Sequence, residues 1–536
     1  MRGFDVQGET TTVTVNDQVL RRDATYVDLV LWALERYPDH VAIVDGDVEL
    51  TYAQVRDRIS QLASALAKLG FGRGNGLMVL AGNMTEPLLV GLAVRTLASW
   101  AGALHPLGAV DDQAFILEDC EALGLVFDPS LYRDAAAEIA ARVPGLKHVL
   151  SVGPCDVGED LSALADAEPA GPLRSQAEAD DLCSLGYSGG TTGLPKGIMQ
   201  RHRTVVEMNN LICSGWQLPA EMRFLAATPI SHAAVAFVLP TWMQGGTIVL
   251  QRGFTAESFF DAVERHRITS TFMVPTMLYV LLDHPRVRTA DLSSLETIVY
   301  GAAPMSPTRL REALDVFGPV FLQLYGQAEA PACITTLRKQ EHDVNRPHLF
   351  GSCGRPLPGV EVALLDDDDR PVPVGEPGEI CVRGRIVTHG YWKRPELTEE
   401  LFRSNWLHTG DMATADDEGY LYIVDRKKDM VISGGFNIYP REIEDVLTSH
   451  AEVATAVVIG VPDERWGEAV TAFVVARPGA TPDPASLIDL VRERKGKVYA
   501  PKTLEVVADL PLTGLGKPDR KAVRARYWSA GGRQVN

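Results

Sequence analysis

The stretch YSGGTTGLPKG, residues 187–197, says most about the fold. It combines four glycines, three hydroxyl side chains and one lysine, and it follows the apolar run 182–186. Glycines let a backbone approach a bulky anion, and consecutive N–H groups form an anion-binding concavity. Hydroxyl groups donate hydrogen bonds to phosphate oxygens, and Lys196 adds a positive charge. The stretch predicts a phosphate-binding loop that follows a strand.

Three other interpretations of this loop compete with a phosphate-binding role. A flexible linker shares its composition, but apolar segments flank the loop and Pro195 stiffens it. A Walker-type loop needs GxxxxGK[ST], whereas Gly197 follows Lys196 here. The residues GYSGG, 186–190, also match the GxSxG nucleophile elbow of serine hydrolases. That elbow must enter a helix directly, which the glycines and Pro195 disfavour, so a hydrolase using Ser188 is the weaker alternative.

The bulk composition is that of a globular protein with more than one domain. The chain has 536 residues, of which 46% are hydrophobic and 23% charged. Its net charge of −19 argues against a nucleic-acid partner. The seven cysteines are scattered singly, and the chain start lacks the apolar core of a signal peptide. The apolar run 87–94 is too short to span a membrane, so we expect a cytoplasmic protein with reduced thiols. The alanine- and arginine-rich texture is typical of GC-rich bacterial genomes.

Alternating apolar and amphipathic segments predict an α/β fold. Strands are predicted at 223–227, 247–250, 271–274, 297–300 and 320–324, with helices at 256–267 and 306–317. The first 150 residues show a weaker form of the pattern, with a helix over 53–69 that Gly70 ends. This alternation is typical of mainly parallel sheets flanked by helices.

The pattern changes from residue 351 onward. Closely spaced turns up to residue 425 predict a small β-barrel or meander. Beyond it, helices at 440–448 and 485–494 and strands at 453–460, 470–476 and 504–507 predict a small α+β unit. We therefore expect a large N-terminal domain, 1–425, of mainly parallel sheets plus a β-barrel-like subdomain at about 351–425. A hinge near 426–428 would join it to a mobile C-terminal domain, 429–536.

Four further segments carry residues suited to binding or catalysis. Tyr325 and Glu329 follow a predicted strand, where an aromatic ring can stack on adenine and a carboxylate can hold Mg²⁺. Asp411 is an ionised carboxylate, which accepts two hydrogen bonds well. Lys517 lies on a glycine-containing loop and carries a positive charge. Each also has an ordinary interpretation: a helix N-terminus, a turn and a surface lysine, and for His232 a satisfied core histidine.

Together these segments resemble the acyl-adenylate-forming superfamily, which includes acyl-CoA synthetases, luciferases and the adenylation domains of peptide synthetases. The segments occur in the family's order, and the resemblance covers nearly the whole chain. The most specific match is DRKKDMVISGGFNIYPREIE, residues 425–444, which resembles the hinge motif over its full length.

The resemblance assigns roles to individual residues. ATP or AMP would be bound by Ser188, Gly189, Gly190, Thr191, Thr192, Gly193, Lys196, Gly301, Ala302, Ala303, Tyr325, Gly326, Ala328, Asp411 and Arg426. Magnesium would be held by Glu329 and Thr191, the hinge would be at Lys428, and Ser433, Gly434 and Gly435 would line the CoA channel. Lys517 would bridge the substrate carboxylate and the α-phosphate, with His232 beside the carboxylate.

The implied function is that of an acyl-CoA ligase, with ATP, Mg²⁺, CoA and a small carboxylic acid as its partners. The acid would first form acyl-AMP, and after the C-terminal domain rotates, CoA would take the acyl group. A homodimer is also expected. No aspartate near His232 could bind an α-amine, which disfavours an amino-acid substrate. Fatty, aromatic and bulky steroid- or terpenoid-like acids remain open.

Two departures from the family pattern affect the first half-reaction. Gly189 and Ala328 stand where the family usually has hydroxyl residues, and each lost hydrogen bond to a charged group is worth roughly 1.5–3 kcal/mol. An enzyme that only forms thioesters from preformed acyl-AMP is therefore an alternative. A non-catalytic nucleotide-binding relative is a second, which the retained Lys517 disfavours.

Overall fold

The structure is a computed structural model that describes residues 4–6, 9–11, 22–188, 195–433, 436–463, 466–512 and 518–528. It does not describe the side chains of residues 4–6 and 9–11, nor those of Ser188, Lys428 and Asn437. The first described segments are two short antiparallel strands, Phe4–Val6 and Glu9–Thr11.

A seven-stranded sheet holds the strand that precedes the predicted phosphate loop. In spatial order its strands are Lys196–Arg201, Leu182–Ser188, Trp100–Ala103, Gly76–Leu80, Gly124–Phe127, His148–Ser151 and Glu159–Asp160. All neighbours are parallel except the first two, which form an antiparallel pair. The parallel part confirms the βα pattern seen in the first 150 residues.

A nine-stranded sheet forms the other half of the large unit. Its spatial order is Arg355–Pro356, Ala330–Leu337, Phe321–Gln327, Thr297–Gly301, Ser270–Met273, Arg223–Ala226, Thr247–Leu250, Val41–Asp45 and Val48–Thr51. The central strands are parallel, and antiparallel strands close both edges. Five of these strands were predicted, with the strand at 247–250 exact and the ends of the others displaced by at most three residues.

Helices between the two sheets form the main core. They include Tyr26–Arg36, Tyr52–Lys68, Thr85–Thr96, His202–Gly215 and Val238–Met243. One contiguous buried cluster joins residues of both sheets, such as Leu77 and Ile248, to these helices. Thr85–Thr96 is buried on nearly all sides because sheets lie on both faces of this layer, which explains why the run 87–94 is so apolar. Among the described helices, none is long and apolar enough to cross a membrane.

Five further helices pack on the sheets in two other buried clusters: Val110–Asp119, Pro129–Arg142, Ala256–His266, Pro275–Asp283 and Pro307–Phe317. The short helix Leu161–Asp166 contacts Tyr52–Lys68 in the main core, and Pro395–Leu401 contacts strand Leu407–Ala415. The predicted helix 256–267 ends one residue earlier, since Arg267 adopts a left-handed conformation. Ser306 occupies the N-cap position predicted for it, but its side chain makes no capping hydrogen bond. Helix Tyr52–Lys68 is followed by Leu69 and then Gly70, as predicted.

The β-rich segment predicted at 351–425 contains a four-stranded antiparallel meander. Its strands Glu361–Leu365, Gly378–Arg383, Leu407–Ala415 and Leu421–Arg426 pair in chain order. This is the meander form of that prediction, and a closed barrel would need a further pairing between the first and last strands.

The C-terminal segment forms a separate five-stranded sheet with helices. The strands are Phe436–Ile438, Val431–Ser433, Gly467–Ala476, Val453–Asp463 and Thr503–Val507, and the helices are Pro440–Thr448, Pro484–Lys495 and Arg520–Arg524. Its core is a buried cluster that contains Ile443, Val458 and Val474. The predicted α+β character is confirmed. All seven cysteines of the chain are free thiols.

We predict that Gly326→Ala destabilises the protein. A Cβ at residue 326 would lie 2.5 Å from the backbone nitrogen of Ala332 on the neighbouring strand, so the hairpin must shift. Overpacking of this kind costs about 1–3 kcal/mol of unfolding free energy. Gly186→Ala is the matched control because a Cβ there meets nothing within 4 Å. Urea unfolding of both variants measures the difference, and equal stabilities would contradict the prediction.

Candidate active site

One large cavity, of about 2200 Å³, lies where the three parts of the chain meet. Its wall includes the carboxyl ends of parallel strands of the nine-stranded sheet, for example Phe272 and Ala302. The meander contributes Asp411, and the C-terminal segment contributes Arg441. In open α/β sheets, ligands bind at the carboxyl ends of the strands. This cavity is therefore the candidate active site.

Tyr325 and Asp411 meet across this cavity. The Tyr325 hydroxyl donates a 2.7 Å hydrogen bond to Asp411 Oδ2, and Arg426 Nε lies 3.5 Å from Asp411 Oδ1. Burial, reinforced by Asp411, raises the pKa of Tyr325 well above its ordinary value, so the phenol stays a donor. The structure thus brings together three residues that the sequence assigned to the nucleoside. The tyrosine hydroxyl orients the carboxylate, a contact that the sequence did not predict.

Glu329 and Lys196 both lie next to Tyr391. The turn Ala328–Glu329 joins strands Phe321–Gln327 and Ala330–Leu337, and Glu329 Oε1 accepts a 2.9 Å hydrogen bond from the Tyr391 hydroxyl. The Lys196 ammonium lies 5.2 Å from the centre of the same ring. A predicted metal ligand and a predicted phosphate ligand are therefore neighbours. Tyr391 belongs to no motif recognised in the sequence, so nothing in the sequence indicated it.

The chemistry of Glu329 fits a magnesium ion. The carboxylate lines the cavity, and only one of its oxygens has a hydrogen-bond partner among the described residues. Mg²⁺ is bound through one or two carboxylates together with substrate phosphates and water. Thr191, the second predicted ligand, lies outside the described residues.

The last residue of strand Thr297–Gly301 and the loop that follows it have different roles. Ala302 and Ala303 line the cavity, as predicted for a pocket wall. Gly301 is not part of the lining. A Cβ on Gly301 would lie 2.5 Å from the Leu324 carbonyl oxygen, so glycine is needed there for strand packing. Ala302 has φ of +61°, a strained conformation for alanine that turns the loop sharply into the cavity.

His232 lines the cavity in its neutral form. Its Nδ1 lies 2.8 Å from the Ser231 hydroxyl, and its ring centre is 4.9 Å from that of His105. Burial lowers the pKa of His232 to about 4, with a smaller contribution from His105. A serine hydroxyl that donates to Nδ1 leaves the Nε2 proton for a ligand. His105, which the sequence did not single out, fixes the position of this ring.

The C-terminal segment reaches the cavity through the residues that follow Lys517. Pro518, Asp519 and Arg520 line it, and Arg520 forms ion pairs of 2.8 Å with Asp425 and 2.6 Å with Glu444. Ser433, predicted for CoA, is buried and absent from the lining. The hinge residue Lys428 lies in the short helix Lys427–Asp429. Lys517, Gly434 and Gly435 lie outside the described residues.

The predicted phosphate loop connects two paired strands. Leu182–Ser188 and Lys196–Arg201 are antiparallel, with Ser188 opposite Lys196. Residues 189–194, which include Gly189, Gly190, Thr192 and Gly193, lie outside the described residues. A hairpin is incompatible with the strand-to-helix elbow of a serine hydrolase, so that alternative loses its structural basis. Gly326 and Ala328 also line the cavity, and the Ala328 carbonyl accepts a 2.8 Å hydrogen bond from Gln200 on strand Lys196–Arg201.

Family models match both parts of the chain. The model described as AMP-binding enzyme matches residues 30–392, and that of the AMP-binding enzyme C-terminal domain matches residues 442–517. The chain is an AMP-binding enzyme. This assignment confirms the acyl-adenylate-forming superfamily predicted from the sequence.

Relatives of this AMP-binding enzyme include several CoA ligases. It is 44% identical to the medium/long-chain-fatty-acid–CoA ligase FadD8 of Mycobacterium tuberculosis, an alignment that covers 100% of this chain and 94% of the relative. It is 38% identical to a feruloyl-CoA synthase of Amycolatopsis sp, in an alignment that covers 91% of this chain and 96% of the relative. These relatives confirm the CoA ligase branch.

Two solved structures share the fold of this AMP-binding enzyme over nearly its whole length. The amide bond synthetase McbA of Marinactinospora thermotolerans superposes with a TM-score of 0.87 at 34% identity, covering 94% of this chain and 100% of that one. The anthranilate CoA ligase AuaEII in complex with anthranoyl-AMP gives a TM-score of 0.88 at 26% identity. The superposition covers 96% of this chain and 99% of that one. The predicted fold class is confirmed.

We predict that Tyr325→Phe weakens the use of ATP. The variant removes the hydrogen bond that orients Asp411 and leaves the ring in place, so kcat/KM for ATP should fall by about 3- to 30-fold. Tyr420→Phe is the control: its hydroxyl donates to Glu341 at 3.0 Å, and it does not line the cavity. Steady-state kinetics with varied ATP measure the effect. Equal kcat/KM values for the two variants would show that Asp411 does not need the hydrogen bond from Tyr325.

We predict that His232 does not titrate in the working pH range. Since its folded-state pKa is about 4, the imidazole stays neutral as pH falls from about 8.5 to 5.5. His232→Asn should therefore lower kcat/KM for the acid by the same factor throughout that range. The pH–rate profiles of the two proteins provide the test. A wild-type inflection near pH 6.5 that disappears in the variant would refute it.

Proposed function

We propose that this AMP-binding enzyme is an acyl-CoA ligase that forms acyl-AMP from ATP and then transfers the acyl group to CoA. The observation that carries the proposal is the convergence in one cavity of Asp411, Lys196, Glu329, His232 and the segment that follows Lys517. Each side chain has the chemistry required by a different part of the reactants.

In the first half-reaction, a carboxylate oxygen attacks the α-phosphorus of ATP and the bond to pyrophosphate breaks. Asp411, held by Tyr325, accepts hydrogen bonds from the ribose hydroxyls. Lys196 and residues 188–193 bind the phosphates. Lys517 bridges the two anions and stabilises the charge that builds up between them. A magnesium ion bound at Glu329 would supply further neutralisation of the phosphate charge.

His232 orients the substrate carboxylate in this scheme. A neutral imidazole can donate from Nε2 to one carboxylate oxygen and leave the other free to attack. A charged imidazolium would bind the carboxylate more tightly but lower its nucleophilicity. The lowered pKa of His232, caused mainly by burial, keeps the ring in the useful form. His232 is thus a positioning group rather than an acid or base.

The second half-reaction requires a different arrangement of the C-terminal domain, 429–536, relative to the N-terminal domain, 1–425. In the present arrangement residues 518–520 line the cavity and Ser433 does not. This arrangement suits the adenylation step, because the residues that directly follow Lys517 line the cavity. Rotation about the hinge at 426–428 would withdraw them and bring 433–435 to the acyl-AMP. The CoA sulfur then attacks the acyl carbon and AMP leaves.

The loss of the hydroxyl at residue 328 is partly offset by Gln200. Its side-chain amide donates a 2.8 Å hydrogen bond to the Ala328 carbonyl, and Gln200 lines the same cavity. A polar group therefore lies beside the position where the family carries a threonine. This contact supports the complete ligase over an enzyme restricted to thioester formation.

An amine acceptor is the second candidate, because the amide bond synthetase McbA shares this fold. A homodimer and a cytoplasmic location belong to the same proposal.

Lys517→Ala separates the two half-reactions. We expect pyrophosphate release to fall by about 100- to 1,000-fold, because the cation that meets both anions is lost. Acyl-CoA formation from a preformed acyl-adenylate should change far less. Lys497→Ala, an exposed lysine in the same C-terminal segment, is the control. Both assays are run on one panel of carboxylic acids, with CoA or an amine as acceptor.

Two outcomes would contradict this proposal. Undiminished pyrophosphate release in Lys517→Ala would remove that residue from the first step. Thioester formation by the wild type without any pyrophosphate release, for an acid whose adenylate is accepted, would leave only the second half-reaction. Amide formation in place of the thioester would select the second candidate.

A further inference from the structure

The active-site cavity extends along the strand that leads to the predicted phosphate loop. Cys183 lies five residues before Ser188 on that strand, about 16 Å away along an extended backbone, and we call this end of the cavity the inner end. This end lies between helices Tyr26–Arg36 and Thr85–Thr96 and strand Leu182–Ser188, and its wall includes Tyr26, Leu88, Leu92, Arg95 and Cys183. The mechanism above uses none of these residues. A cation among apolar side chains at the inner end of a substrate cavity calls for an explanation.

Arg95 is held rigidly but has no acidic partner. Its guanidinium donates to three backbone carbonyls, those of Cys183 at 2.9 Å, Gly91 at 2.6 Å and Ala101 at 3.2 Å. Among the residues that the structure describes, no carboxylate forms an ion pair with it. Its guanidinium also interacts with the side chain of Cys183 and keeps its full positive charge. A charge in such a site is stabilised by an anion.

The groups around Arg95 are also hydrogen-bond donors. Tyr26 is 6% exposed, and burial raises the pKa of its hydroxyl to about 12, with Arg95 and Cys183 close enough to influence it. Burial also acts to raise the pKa of the Cys183 thiol, but His202 and Arg95 outweigh it and hold that pKa below its ordinary value. His202 is fully buried and interacts with the Cys183 thiol. The inner end therefore carries the positive charge of Arg95 and the hydroxyl donor of Tyr26.

The cavity between this end and the catalytic residues has apolar walls. Helix His202–Gly215 presents Val205 and Met208 to the cavity, and Ala236, Phe237 and Phe272 line it as well. Such walls bind hydrocarbon. A ligand that matches the whole surface has a carboxylate at the catalytic end, an apolar chain, and an anionic oxygen group at the far end.

We propose that Tyr26 and Arg95 bind the distal carboxylate of an α,ω-dicarboxylic acid whose other carboxylate is activated at Lys517. This inference rests on the proposed function, since it names the class of acid that the ligase uses. Cys183 contributes a thiol to this end of the cavity, and His202 interacts with that thiol. The subsite requires no covalent step. Arg95 and Tyr26 are specificity-determining residues, because they contact the end of the substrate that does not react.

The test compares pairs of straight-chain acids with equal carbon number, one ending in a methyl group and the other in a second carboxylate. Acyl-CoA formation is measured for several chain lengths with the wild type, Arg95→Met and Tyr26→Phe. Arg370→Met is the matched control, because Arg370 is 75% exposed, pairs with Asp368 and lies outside the cavity wall. The affinity of each protein for the sulfamoyl analogue of the diacid adenylate gives a readout independent of turnover.

At the chain length that spans the cavity, we expect wild-type kcat/KM for the diacid to exceed that for the monoacid by about 10- to 100-fold. Arg95→Met should reverse this preference, because an apolar side chain of similar length replaces the cation. Tyr26→Phe should reduce the ratio of kcat/KM for the diacid to that for the monoacid by about 3- to 10-fold. This variant tests the subsite if Arg95→Met does not fold.

A wild-type preference for the monoacid at every length, or a ratio that neither variant changes, would overturn the subsite. Inactivity toward every acid would contradict the proposed function instead. In that case the adenylate analogue decides the subsite: weaker binding to Tyr26→Phe than to the wild type supports it, and equal binding overturns it.

Discussion

The site depends on the hydrogen bond that joins Tyr325 to Asp411. The tyrosine ends a strand of the nine-stranded sheet, and the aspartate lies on the antiparallel meander, so one 2.7 Å contact ties two separate sheets together. Glu329 follows four residues after Tyr325 and contacts Tyr391, which lies against Lys196. Side-chain contacts thus link the residues that we propose as ribose, metal and phosphate ligands. A shift of the meander would move Asp411 relative to Tyr325.

A second constraint holds the C-terminal segment against the cavity. Arg520 is buried with Asp425, Asp429 and Glu444, and although burial alone would lower the pKa of its guanidinium, these carboxylates raise it. Removal of one partner from such a cluster is strongly destabilising, because the remaining charges stay buried. The same ion pairs hold residues 518–520, which directly follow Lys517 in the chain, at the cavity. This is the arrangement that the proposed first half-reaction requires.

Much of this could be predicted from the sequence, since strand periodicity and motif order are local properties. The strand at 297–300 and the helix at 440–448 agree with the structure to within one residue. The motifs also led to Asp411 and Glu329. Packing contacts have no such local signal: the close approach of Gly301 to the Leu324 carbonyl on the neighbouring strand was not predicted, and the nucleotide-binding role of Gly301 stays a prediction. The contacts of Tyr391 and the electrostatics around Arg95 join residues distant in the chain, so no local pattern could reveal them.

The central claim is that this AMP-binding enzyme activates its acid by forming an acyl-adenylate. The most direct test uses a carboxylic acid labelled with oxygen-18 in its carboxylate, together with ATP and CoA, and analyses the products by mass spectrometry. Attack of the carboxylate on the α-phosphorus transfers one labelled oxygen to AMP and none to pyrophosphate. We expect AMP to carry that label in every turnover. Thioester formation with unlabelled AMP, or label in inorganic phosphate, would contradict the account.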